Sequence, residues 1–225
     1  MSEGTGRHPL DLASGVALAL VSLMDFYTAR SLSLVAYVRP HVVTLVQVLE
    51  QGLSVLCAAG VVAVLVAWPF LARDAHRRVA LAVIGLQTVG LTLDVLGLLA
   101  STLYGKRADP IYLLMEAALV HVSTVLLFAT WYAALDHHRQ VARAAGRVVP
   151  QGIAFGPHSA RYTGYENWLP SFVDYFTFAF TVSTSLGPAE GLPLAASVKL
   201  LITFQVSLSL IILVVLAARA IGLIT

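Results

Sequence analysis

The sequence predicts an all-α integral membrane protein, and three observations carry that prediction. Of 225 residues, 58% are hydrophobic and only 12% charged, against about 25% charged in soluble domains; mean hydropathy is +0.83. The apolar residues gather in runs near the length of about 20 that a helix needs to cross a hydrocarbon core of about 30 Å. The basic residues gather in short clusters between those runs, as in the loops of multipass proteins.

Four N-terminal spans are expected within residues 1–135: Leu10 to Ala29, Leu53 to Leu71, Val79 to Ser101 and Ile111 to Leu135. The hydrophilic breaks "YVRPH", "RDAHRR" and "YGKRADP" separate them. The first run reads as an uncleaved span, because its leader is acidic as well as basic and no clear cleavage site follows. Trp68, Trp131 and Tyr132 fall at span ends, where amphipathic rings favour the headgroup level. Residues 136–171 read as one polar loop. Then comes "FVDYFTFAFTVSTSLG" from Phe172, about 16 residues, short for a crossing but sufficient for a helix that enters halfway. It is either re-entrant or a full span. A last span runs from Ala195 to Ile221.

A net charge of +2 gives no grip on nucleic acid, and the single cysteine, Cys57, excludes an internal disulfide. There is no phosphate-binding Gly-rich loop, no G-x-S-x-G, no H-E-x-x-H and no C-x-x-C. The chain is therefore not expected to be an enzyme, nor to hold a metal or other cofactor. "DHHR" at Asp136 to Arg139 reads as a solvated loop cluster, since adjacent histidines point to different faces of a helix.

Ionisable groups within spans are candidates for function. Asp94 lies deep in the third span, with Gln87 two helical turns earlier on the same face. Glu116 and His121 lie in the fourth span, on different faces. Asp25 and Arg30 read as an interfacial ion pair near the end of the first. No arginine ladder exists, which excludes a voltage sensor.

The stretch "TSLGPAEGLP", Thr184 to Pro193, precedes the last span. Together with Asp174, Phe178, Phe180 and Lys199, it resembles the pore helix, filter and inner helix of the potassium-channel superfamily over about residues 174–219. In that register Thr184, Ser185, Leu186 and Gly187 stand for T-T-V-G. Pro188 replaces the tyrosine, Ala189 the second glycine, and Glu190 the aspartate. The remainder resembles a bacterial family of multipass membrane proteins of unknown function, through its "YFxFT" segment and closing helix.

The resemblance implies a channel-pore-like region over residues 172–225, repeated in a homotetramer around one axis. It implies passage of inorganic cations, potassium or sodium, across the bilayer of the cell (inner) membrane. A potassium filter presents rings of backbone carbonyls. Pro188 has a fixed φ and no N–H, and Ala189 resists left-handed dihedrals by about 1–2 kcal/mol. Altered or weak potassium selectivity is therefore expected, with Thr184 and Ser185 at the entrance, Glu190 as an acidic ring, and Gln205 and Ser209 as pore-lining candidates. The alternative is a transporter or other multipass protein without a central pore, working through Asp94, Glu116 and His121 in each subunit. Loop charge pulls the other way from the re-entrant reading: six crossings put nine basic residues inside and five outside, while a re-entrant helix reverses the count.

Overall fold

The computed structural model describes residues 9–31, 43–67, 73–104, 110–156, 168–187 and 191–222. The elements in chain order are α1 (Pro9–Ser31), α2 (Val43–Ala67), α3 (Arg73–Tyr104), α4 (Pro110–Ala144), β1 (Ile153–Phe155), α5 (Phe172–Ser185), β2 (Gly191–Pro193) and α6 (Ala196–Gly222). Helix dominates because a backbone N–H or C=O left unpaired in hydrocarbon costs several kcal/mol, and a helix pairs both within itself.

Among the described residues, three stretches are long and apolar enough to cross a membrane: Ala75–Leu103 in α3, Ile111–Arg143 in α4 and Ala196–Ala218 in α6. The expected four N-terminal spans are thus not matched. The other two N-terminal helices supply the shorter apolar stretches Leu12–Thr28 and Gln51–Val66, each about 25 Å of helix at 1.5 Å per residue. Asp11 and Arg30 flank the first of these, and Glu50 precedes the second.

Helix α4 is the axis of the packing, in contact with α1, α3, α5 and α6, while α2 closes against α1 and α3. Its inward residues Val120, Leu127, Phe128 and Tyr132 are fully buried beside Leu98, Phe178 and Ile212. The polar connection expected from residue 136 begins inside this helix, which continues to Ala144. Gly146 ends it in a left-handed conformation (φ 79°), with Gly146 N donating to Arg143 O and Arg147 N to Ala142 O. This closure satisfies the last carbonyls.

The strands form an antiparallel pair, Ile153 opposite Pro193 and Phe155 opposite Gly191. A Cβ built on Gly191 would lie 2.9 Å from Ile153 Cγ2 and 3.0 Å from the Phe178 ring. Only glycine lets β2 sit this close to α5. Gly191→Ala is expected to cost about 1–3 kcal/mol through overpacking, read as an earlier thermal transition of the detergent-solubilised protein; an unchanged transition means that Phe178 yields freely.

Candidate functional site

The segment that resembles a pore begins at Ser171, whose N and Oγ both donate to Asp174 Oδ2, at 2.7 and 2.6 Å. An acidic residue at this position caps a helix start and complements its dipole. Helix α5 then runs 14 residues, about 21 Å, short of a full hydrocarbon core. Tyr175, Phe178, Ala179, Val182 and Ser183 face inward at helical spacing. Phe180, Thr184 and Ser185 are exposed.

The direction of α5 follows from its contacts. Near its start, the Tyr175 hydroxyl donates to Asp136 Oδ2 on α4 at 3.1 Å. One turn on, the Phe178 ring meets Tyr132 edge-to-face at 4.9 Å. Ascending numbers on α5 thus meet descending numbers on α4, so the two helices are antiparallel. At its far end Ser183 accepts from Gln205 Nε2 at 2.7 Å and from Ser209 Oγ at 3.1 Å. The start of α6 lies at the other end of α5, because Leu194 N donates to Gly152 O at 2.9 Å and Gly152 N donates to Asp136 Oδ1. So α5 and α6 run in the same direction. Between them the chain leaves α5 at Ser185 and is back beside Phe178 at Gly191. That return is about 10 Å along the helix axis, within the reach of five residues at about 3.3 Å each.

Two polar hubs hold this arrangement. Asp136, expected in a solvated loop, is 0% exposed. Its Oδ1 accepts from Gly152 N and Ile153 N, both at 3.0 Å, and its Oδ2 from Gln140 Nε2 at 2.8 Å and from Tyr175. Gln140 also donates to Ile153 O at 2.9 Å. One carboxylate thus ties α4 to β1 and α5. The second hub is Gln205, also 0% exposed, which accepts from Tyr132 OH at 2.6 Å and donates to Ala179 O and Ser183 Oγ. Gln205 and Ser209 therefore face into the subunit rather than away from it. The outward face of α6 carries Leu200, Thr203, Phe204, Ser207 and Val214. Tyr132, expected at the headgroup level, is buried in this hub, and Trp131 donates to Thr88 Oγ1 on α3 at 2.9 Å. Both rings satisfy their polar atoms inside protein.

The chain matches no family model, no curated protein and no solved structure.

Of the filter-like residues, Thr184 and Ser185 form the last turn of α5. Thr184 Oγ1 donates to Phe180 O at 2.8 Å, and Ser185 Oγ to Thr181 O and Gly187 O. Leu186 caps the helix in the left-handed region at φ 55°, ψ 29°. A bulky residue held there is uncommon and stores local strain. Gly187 follows in open space. Pro188, Ala189 and Glu190 lie outside the described residues.

The intramembrane candidates divide. Asp94 and Gln87 line one polar seam against α1: Thr28 Oγ1 donates to Asp94 Oδ2 at 2.8 Å, and Gln87 Nε2 donates to Leu18 O at 3.0 Å and Ser22 Oγ at 2.6 Å. Asp25, expected at the interface with Arg30, turns into the same seam. Val21, Asp25, Gln87, Leu91, Asp94 and Ser123 line one crevice there. Glu116 is buried and His121 half-buried on α4, and neither lines it. Among the described residues no group of three or more metal-ligating side chains is assembled.

Proposed function

We propose that α4, α5 and α6 form the pore unit of a cation channel, with four copies around one axis in the cell membrane. The observation that carries this reading is the return of the chain to Gly191 beside Phe178, with α6 then running the same way as α5. A short helix that enters, a segment that comes back and a long helix that crosses would bring the connection between α5 and α6 to a common axis once copies assemble. Irregular backbone at membrane depth is tolerated where it lines a water-filled path. The outward hydroxyls Thr203 and Ser207 take the lining role expected of Gln205 and Ser209, which are committed to Tyr132 and Ser183. With Pro188 and Ala189 in the loop, potassium and sodium pass with weak discrimination, and four Glu190 carboxylates repel anions.

Protein reconstituted in liposomes is expected to pass potassium and sodium, and Glu190→Gln to lower cation-over-anion preference several-fold. Folded protein that is monomeric and passes no ion above empty liposomes sinks the proposal. The entry geometry has its own test: cysteines placed at Ser171 and at exposed Leu192 should label from one side of the membrane, whereas labelling from opposite sides makes α5 a crossing. The rival reading, a transporter working in each subunit, draws support from the crevice at Asp94, but Glu116 and His121 do not join it. Saturable uptake by a monomer is its signature.

A further inference from the structure

The crevice between α1 and α3 holds a second chemistry, independent of whether α5 and α6 line a pore. The carboxyl of Asp25 lies against that of Asp94 across the helices and against the hydroxyl of Ser54 on α2. Two carboxyl groups in contact within a low-dielectric interior cannot both be ionised, because like charges at that separation repel by several kcal/mol. One further atom of each of two side chains is buried without a partner: Asp25 Oδ2 and Gln87 Oε1. Gln87 is 3% exposed, and its Nε2 is already committed to Leu18 and Ser22, so its unpaired oxygen belongs to the crevice that it lines with both acids. Both orphan atoms are acceptors. What these two atoms lack is a hydrogen donor, and the gap beside them admits no sphere the size of water.

We infer that Asp25 and Asp94 hold one proton between them, which makes the junction of α1, α2 and α3 a proton-binding site. The proton sits on one carboxyl and is donated to the other, so the pair carries a single negative charge that Thr28 and Ser54 stabilise as donors. The groups facing the pair support this balance. Helix α2 brings Ser54 and the thiol of Cys57, α3 brings Gln87, and α4 brings the hydroxyl of Ser123. The ionisable groups of helix α5 point elsewhere, Asp174 to Ser171 and Tyr175 to Asp136. Among the described residues, no lysine or arginine lines the crevice. Close approach is built into the backbone as well, for a Cβ on Gly90 would lie 3.0 Å from Asp25 Oδ1. Loss of the proton sets two anions in contact and drives α1 away from α3, which makes this junction responsive to proton activity on the side that reaches it.

Infrared difference spectra of the reconstituted protein test the site. The wild type is expected to show one protonated-carboxyl carbonyl band at neutral pH that disappears on alkaline titration. Asp25→Asn and Asp94→Asn should each abolish that same band, because the asparagine amide supplies the missing donor and leaves the remaining acid ionised. Glu116→Gln should leave it unchanged. A band that survives either asparagine substitution belongs to another acid and overturns the inference, as do two separate bands removed one at a time. A wild type without the band in sodium buffer, which gains it when sodium is replaced by a bulky organic cation, holds a metal ion instead, and the proton site is then wrong. Should one asparagine variant fail to fold, the wild-type spectra and the other variant still decide.

Discussion

Asp136→Ala is expected to leave the C-terminal half of the protein unable to hold its native packing. The substitution strips the partner from Gly152 N, Ile153 N and Tyr175 OH and takes from Gln140 one of its two acceptors. A buried donor left unpaired costs about 1–3 kcal/mol, and bonds to a charged group sit at the upper end. Three such donors together approach the whole stability of a typical domain, about 5–15 kcal/mol. The effect is also topological. Asp136 seats β1, β1 pairs with β2, and β2 is where the chain from α5 lands. Tyr175→Phe removes one donor of four and leaves the carboxylate satisfied, so it should cost only about 1 kcal/mol. Thermal melts in detergent, followed by size exclusion, check the contrast. Similar transitions for Asp136→Ala and Tyr175→Phe would show that the hub does not hold these elements together.

This residue also marks where the sequence stops being legible. The three stretches long and apolar enough to cross a membrane, Ala75–Leu103, Ile111–Arg143 and Ala196–Ala218, are announced by length and apolarity alone, and the brevity of α5 is visible in its short apolar run. The seam of Gln87 and Asp94 follows from a seven-residue spacing on one helix. The partners that give such residues their meaning come from distant segments: Asp25 lies 69 positions from Asp94 by sequence number and Tyr175 lies 39 from Asp136. No local pattern encodes them. Asp136 looked solvated because an acid followed by two histidines and an arginine is what a loop contains, whereas four donors brought by the fold bury it.

The faces of α6 were illegible for a different reason. In a soluble helix the polar side points outward and the apolar stripe marks the core. In lipid both sides are apolar, so Leu200, Phe204 and Val214 on the outward side do not differ in kind from Ile202, Leu208 and Ile212 on the inward side. The polar residues carry what signal there is, since side chains that hydrogen-bond across helices act as interhelical glue. Gln205 and Ser209, one turn apart, are such a pair, and they also mark the face that meets α5.

Gln205 therefore supplies the second large effect. Gln205→Leu keeps much of the volume but leaves Tyr132 OH buried without its 2.6 Å acceptor and removes the bonds to Ala179 O and Ser183 Oγ. Ser183 retains Ser209, so the uncompensated loss falls mainly on the tyrosine, and a cost of about 2–4 kcal/mol is expected from one orphaned hydroxyl and the lost bonds. Adding Tyr132→Phe removes that orphan. Replacing both partners by apolar groups of similar shape is nearly neutral, so the double variant should recover most of the stability, with a coupling of about 1–3 kcal/mol in the cycle. Equal melts for the single and double variants would mean that the bond to Tyr132 contributes little. The same pair reaches the proposed activity, because Gln205 fixes α5 against α6 and thereby the height at which Thr184 and Ser185 end the helix. Under the channel reading, Gln205→Leu alters the ratio of potassium to sodium flux even where the protein remains folded. The double variant restores stability without restoring the bonds to Ala179 and Ser183, so its flux ratio should stay altered. A wild-type ratio in both variants would place ion discrimination elsewhere than in the seating of α5.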